Sequence, residues 1–334
     1  MVDTGVTAQE LHQQAVVVDG HCDTVHLFCG SRGPYHFKQR NSIGHIDLPR
    51  LRQGGVDVQL FALCVAPNSA PCGALSRALV LLEHFHRELG ENQEEVALVL
   101  DQAGLADSVA HGKLAALLTM EGGEALEGRV DVLHIMHRLG VRGFGLTWND
   151  RNLLADGVGV GDSAGGLTEF GRTVLREVNR LGMIVDAAHL ARRAFYELLD
   201  TSASPVIVSH ANAGGVCNHR RNLDDSQLKA LRDQGGVIGL TFYPPFVTGQ
   251  GEAGLDDLLD HFCYIADLFG VEVLGLGSDY DGISSTVAEL ADVSCLPALT
   301  AGLLARGFTG EEIKMILGGN FWRVFSKSLG KSNV

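Results

Sequence analysis

The sequence predicts a closed (β/α)8 barrel, and three observations carry that reading. Eight short apolar runs punctuate the chain, helical periodicity fills most of the intervals, and no linker-like stretch divides it. The runs lie at 15–19 (AVVVD), 56–65 (VDVQLFALCV), 114–120 (LAALLTM) and 141–148 (VRGFGLTW). They continue at 183–187 (MIVDA), 205–209 (PVIVS), 237–242 (VIGLTF) and 271–277 (VEVLGLG). Continuous Val, Ile and Leu, without in–out alternation, mark strands buried on both faces of a parallel sheet. Eight of them favour closure over an open doubly wound sheet.

Between the runs, apolar residues recur at three- and four-residue spacing over 74–89 and 130–139. Thr168 is placed to cap a helix over 169–181, with Gly182 as its stop. Residues 191–199, 226–233 and 255–269 read likewise, and 311–326 predicts a C-terminal helix packed back on the barrel. An irregular excursion is expected near 28–50. At about 150 residues per domain the length suggests two domains, but barrels of about 250 residues or more form one. The expectation is a single domain over 1–334.

Hydrophobic residues are 46% and charged residues 20%, which rules out disorder as the main state. Lys and Arg number 26 against 40 Asp and Glu, a net charge of −14 with no long basic run. Nucleic acid and anionic membranes are therefore excluded as partners. Residues 1–14 show no basic stretch leading into an apolar one, and no apolar run approaches the roughly 20 residues that cross a bilayer. The tail at 327–334 is polar, without a lipid-anchor signal. The seven cysteines (Cys22, Cys29, Cys64, Cys72, Cys217, Cys263, Cys295) are odd in number and contain no C-x-x-C pair. That argues against a disulfide scaffold or a cysteine zinc site, and the expected compartment is the cytoplasm.

Catalytic groups of such barrels sit where the strands end. The first run leads to His21 and Asp23, the third to Glu121, the fifth to His189, the sixth to His210, and the eighth to Asp279 and Asp281. Imidazole and carboxylate together form a zinc-type ligand set. His21 and Asp23, two apart on an extended strand, point the same way, and Cys22 between them points into the core. A single histidine at a strand end is more often structural, but five such residues from four runs shift the balance to metal. Five ligands exceed one four-coordinate ion and suit two divalent ions, zinc by ligand type, bridged by Glu121. Two ions about 3.5–4 Å apart share a water, lower its pKa and polarise a carbonyl, which is hydrolase chemistry.

Other signals are weaker. Gly161-Asp162-Ser163-Ala164-Gly165 spells G-x-S-x-G, but a glycine-rich approach replaces the strand that a nucleophile elbow needs, so a loop is expected. No G-x-G-x-x-G follows a strand. His84, His86, His134 and His137 lie on helical patterns and read as surface or packing residues. Asp281 reads as a residue supporting Asp279 or lining the next loop.

From about residue 16 to 324 the chain resembles the membrane (renal) dipeptidases and their bacterial relatives, zinc peptidases of the amidohydrolase-like barrel superfamily. The resemblance rests on Asp19-Gly20-His21-x-Asp23-Thr24, His45-x-Asp47-Leu48-Pro49-Arg50-Leu51 and Met120-Glu121-Gly122-Gly123. It continues through Gly140-Val141-Arg142, Asn179-x-x-Gly182-Met183-x-x-Asp186, Ser209-His210, Arg221-Asn222 and Gly277-Ser278-Asp279-Tyr280-Asp281-Gly282. It implies His21, Asp23 and Glu121 on one zinc, and Glu121, His189 and His210 on the other. It further implies Arg221 on the substrate's terminal carboxylate, Asp279 at the bridging water and the free amine, and Tyr243 lining the pocket. Leu146-Thr147-Trp148-Asn149 departs from the family, which often carries a histidine at Trp148 for the carbonyl oxygen. The metal alone, or His26, would then take that role. Ala188 stands where the family often has a serine.

The resulting expectation is a binuclear zinc dipeptidase, a homodimer by resemblance, that accepts a D-residue at the C-terminal position. Asp279 would orient the nucleophile and pass its proton to the leaving amine. Two alternatives remain open: a barrel hydrolase for another amide or lactam, such as an N-acyl amino acid, and a non-catalytic binding protein on the same scaffold.

Overall fold

In the computed structural model, residues 7–65 and 73–330 are described; Cys72 lies outside them. Nine parallel strands form one sheet: β1 (Val17–Cys22), β2 (Val56–Cys64), β3 (Val96–Leu98), β4 (Leu114–Glu121), β5 (Val141–Gly145), β6 (Ile184–Asp186), β7 (Ile207–Ala211), β8 (Val237–Leu240) and β9 (Leu274–Leu276). Their order is β2-β1-β9-β8-β7-β6-β5-β4-β3, and β2 also pairs with β4. That last pairing closes eight strands into a barrel surrounded by helices, as the apolar runs predict.

The ninth strand, β3, is not among the predicted runs. It pairs only with the first residues of β4, Val96 opposite Leu114 through Leu98 opposite Ala116. Three residues are too few to show a period, so β3 left no pattern to read. Some bounds also shift. Val271–Val273 forms a 3-10 turn ahead of β9, and β5 ends at Gly145 rather than Trp148.

The predicted helices are present, with Thr168 accepting a hydrogen bond from the Gly171 N–H at the start of Glu169–Arg180. Helices at Leu48–Gln53, Gln102–Ala110 and Leu296–Ala305 add to them. The expected C-terminal helix is broken by a wider turn: Gly310–Lys314 is α-helical, Met315–Gly319 is a π-turn, and Asn320–Ser328 is α-helical again. The described cysteines are all free. Among the described residues no helix is long and apolar enough to cross a membrane.

Two apolar clusters divide the core. The larger lies between the strands and the surrounding helices. The smaller gathers Val18, Val58, Leu60, Ala115, Leu117, Ile184, Ile207 and Val237 with Phe321, Val324 and Phe325 of the last helix. Those three side chains close the end of the barrel where the strands begin. Phe321 fits into space left by glycine, since a Cβ at Gly20 would come within 2.7 Å of its ring. A plugged bottom leaves the other end, where the strands finish, as the place for chemistry.

Candidate active site

The strand ends bring the predicted residues into one place, and two bulges do the aiming. Between Asp19 and Cys22 strand β1 spends three residues where β2 spends two, from Gln59 to Phe61. Strand β7 does the same between Val208 and Ala211, against Ile238 to Leu240 of β8. Val18 and Ile207 face the interior cluster, so strict alternation would turn His21 and His210 outward. The extra residue turns both rings inward instead. Their centroids lie 3.9 Å apart. Glu121 needs no bulge, because it falls in step with Ala115 and Leu117 at the end of β4.

The Glu121 carboxylate is divided between two groups. Its Oε2 lies 3.7 Å from His21 Nε2, while Oε1 lies 2.8 Å from His189 Nε2 and 3.5 Å from His210 Nε2. Asp23 Oδ2 is 3.4 Å and Asp279 Oδ1 4.0 Å from His21 Nε2. Three overlapping sets follow: His21–Asp23–Glu121, Glu121–His189–His210 and His21–His210–Asp279. Within each set the ligand atoms lie within 4.8 Å of one another. All of these side chains are buried.

The donor chemistry fits divalent cations. His189 Nδ1 is 2.9 Å from Asn149 Oδ1, an acceptor, so the proton sits on Nδ1 and leaves Nε2 a lone pair. His210 Nδ1 pairs with Ser209 Oγ at 2.9 Å. Burial and the nearby Arg221 charge hold His189 down at about 4, and burial with the His21 charge holds His210 well below its usual range. Both are neutral, the form a metal needs. His21 behaves oppositely. Burial opposes its charge, but Glu121, Asp23 and Asp279 push it up to about 10. Its buried Nε2 nevertheless has no hydrogen-bond partner. Burial pushes the Asp279 carboxyl up to about 8, opposed by His21. Three buried carboxylates around one ring call for positive charge, which a divalent ion supplies.

Backbone strain gathers at the same place. Of the four non-glycine residues with positive φ among those described, His189 (66°), Asp279 (64°) and Asp281 (69°) belong to this region. Such conformations cost about 1–3 kcal/mol each and tend to cluster at functional sites. Gly282 leaves the centre open, since a Cβ there would overlap Asp23 Oδ2 and reach 2.7 Å from Asp279 Oδ1.

Above these groups lies a cavity of about 570 Å³ lined by Trp148, Asn149, Arg221, Tyr243, Phe246 and the acidic centre. Arg221 is buried, donates 2.9 Å to the His210 carbonyl, and leaves its Nε without a partner. Its guanidinium stands 5.6 Å from the Phe246 ring, which Tyr243 meets edge-on at 5.0 Å. Trp148 packs 6.0 Å from the His189 ring. His26 is also on the wall, 4.0 Å from Asp23.

Asp281 falls outside the three sets. Its oxygens accept from Thr24 Oγ1 and the His45 backbone N–H, each at 2.6 Å, so it fastens the 28–50 excursion to the barrel. Ser163 is the exposed last residue of a 3-10 helix, Val158–Ser163, rather than part of the expected loop, and it lacks the preceding strand that an elbow needs. Two contributors escaped the sequence reading: Asn149, and Cys64, whose thiol at the end of β2 bonds to Glu121. Glu121 falls below the ordinary carboxylate range: burial raises it, but His21, His189 and the Cys64 bond outweigh that. An asparagine after a strand and a cysteine within one carry no signal of their own.

A closed barrel with overlapping histidine–carboxylate sets at its strand ends defines a metal-dependent hydrolase. Residues 6–333 match the family described as Membrane dipeptidase (Peptidase family M19). The chain is 33% identical to Dipeptidase tcpJ of Claviceps purpurea over 96% of its own length and 77% of that protein's. It is 33% identical to Dipeptidase 3 of Homo sapiens over 95% of its length and 66% of that protein's. Among solved structures, the dipeptidase AC, an M19 metallo peptidase, superposes with a TM-score of 0.87 at 30% identity, covering 95% of this chain and 99% of that one. A metallo peptidase from Rhodobacter sphaeroides, liganded with a phosphinate mimic of L-Ala-D-Ala, gives 0.87 at 28%, covering 94% and 99%. The chain belongs to the M19 membrane dipeptidase family and is a metallo-dipeptidase.

Proposed function

We propose that the enzyme is a binuclear zinc dipeptidase that tolerates a D-residue at the C-terminal position. One observation carries the two-metal reading: the two oxygens of Glu121 face different histidine groups. His21, Asp23 and Glu121 would hold one ion, and Glu121, His189 and His210 the other. When bound, the pair supplies a Lewis acid for the peptide carbonyl and an acidified water.

The chain's own residues do the rest. Arg221, buried and with a guanidinium nitrogen unsatisfied, receives the substrate's terminal carboxylate. Asp279, in its ionised form, meets the substrate's free amine; it then takes a proton from the nucleophile and delivers it to the leaving amine. Tyr243, Phe246 and Trp148 wall the cavity and exclude water. Trp148 cannot carry the positive charge that a histidine could offer the carbonyl oxygen, but its indole N–H is a donor on the cavity wall, as is His26 when protonated. Ligation of the Rhodobacter protein by an L-Ala-D-Ala mimic supports D-residue acceptance here. A reducing, cytoplasmic setting is our reading from the odd number of cysteines. We read 1–334 as one domain and a homodimer as its assembly.

The test is turnover of L-Ala-D-Ala and L-Ala-L-Ala by the zinc-loaded enzyme, beside N-acetylated and lactam analogues. Hydrolysis of both dipeptides, lost on acetylating the amine, is the expected result. Retention of activity on the blocked substrates would favour the broader amidohydrolase reading.

A further inference from the structure

The dipeptidase reading leaves one charged group of the cavity without a task. Arg32 lines the cavity wall with Ser31, His26, Ile283 and Ser284. It sits on a built turn: Gly30 (φ 69°) and Gly33 (φ 118°) adopt conformations that favour glycine, and the Gly33 N–H donates to the Gly30 carbonyl at 3.2 Å. Ser31 Oγ ties the turn back to the His26 carbonyl at 2.7 Å. Arg32 Nη2 donates to the Asp281 carbonyl at 3.0 Å. Among the described residues no carboxylate is paired with this guanidinium, so it offers charge and spare donors to the cavity.

Its position around the barrel decides what it meets. Going round the rim, β7 brings His210 with Arg221 bonded to it, β8 leads to Tyr243, β9 leads to Asp279, and β1 leads into the Arg32 turn. Arg221 and Arg32 therefore lie on opposite sides of Asp279. A dipeptide spans about 7 Å in extended form. With its carboxylate on Arg221 and its amine at Asp279, a dipeptide would direct the side chain of its first residue towards the wall that carries Arg32. Among the described residues the nearby acids form no ion pair with the guanidinium, although their charge stays in the cavity. Asp23 and Asp279 face His21, and Asp281 is occupied by Thr24 and His45.

We infer that Arg32 is a specificity residue that selects dipeptides with an acidic first residue, Asp or Glu. This rests on the dipeptidase reading and on Arg221 and Asp279 as its anchors. A partly solvated charge pair is worth up to about fivefold in kcat/KM.

The test compares L-Glu-L-Ala with its uncharged isostere L-Gln-L-Ala at low salt. The wild type should favour the glutamate substrate by about fivefold, a ratio that shrinks as KCl is raised. Arg32→Ala should bring the ratio to about one, and Arg32→Glu should transfer the preference to L-Lys-L-Ala. A wild-type ratio of one or below, or a ratio unchanged in Arg32→Ala, overturns the inference. Failure of the wild type to hydrolyse any of the three dipeptides overturns the dipeptidase reading beneath it.

Discussion

Asn149 Oδ1 accepts a hydrogen bond from His189 Nδ1 at 2.9 Å, and the opposite nitrogen of the same ring reaches Glu121 at 2.8 Å. The asparagine thus sets the histidine's tautomer and aim without touching the acidic centre. Asn149→Ala should weaken metal binding by about 10- to 100-fold while leaving the fold intact. Zinc titration with a competing chelator, alongside circular dichroism, checks this. Wild-type zinc affinity in the variant would remove Asn149 from the site.

Arg221 is asked to grip a carboxylate, so its loss should fall on substrates that carry one. Arg221→Met should lower kcat/KM for a free dipeptide by about 100-fold or more. The wild-type advantage of a free dipeptide over its C-terminal amide should disappear with it. Paired kinetics on the two substrates read the outcome, and an advantage kept in the variant would place the carboxylate elsewhere.

Phe321 closes the barrel floor, with its side chain fully buried. Phe321→Ala opens a cavity bounded by glycines and strand backbone that cannot collapse into it. The expected cost is about 3–5 kcal/mol, seen as a lower urea midpoint with an unchanged slope. A shift below about 1 kcal/mol would mean that the last helix is not a structural plug.

Glu177 ties two helices together. It accepts from Arg180 Nε at 2.9 Å and from His134, and the Arg180 bond leads the effects that hold its carboxyl down at about 2. A depressed carboxylate adds stability above its unfolded value of about 4.3 and loses it as pH falls through the folded value. Because Arg180 is largely exposed, solvent screens the pair and the contribution stays within about 1 kcal/mol. Glu177→Gln should therefore be less stable than wild type at pH 7, with the gap closing between about pH 4 and pH 2. Denaturation midpoints across that range test it, and a gap that widened on acidification would reverse the sign.

Much of the barrel was legible because each strand is buried on both faces and so spells a continuous apolar run. The ligand set was legible because strand ends in such a barrel converge. What escaped detection depends on geometry that no local pattern encodes. The bulges at His21 and His210 add one residue to strands whose sequences read as unbroken, so the inward turn of both rings depends on pairing with β2 and β8. Asn149 acts on a histidine 40 residues away. Trp148 was legible as a departure from a familiar pattern, whereas its place against the His189 ring was not. Within the π-turn at Met315–Gly319, Gly318 packs against the residue before β1, where a Cβ would overlap the Val16 carbonyl, a contact between distant segments that no local pattern encodes.

The central claim is that Glu121 serves two ions at once. Zinc content per chain, measured after equilibrium dialysis for wild type and Glu121→Ala, addresses it most directly. Two ions in the wild type and neither held tightly in the variant is the predicted result. A single ion in the wild type, or two retained without Glu121, would contradict it.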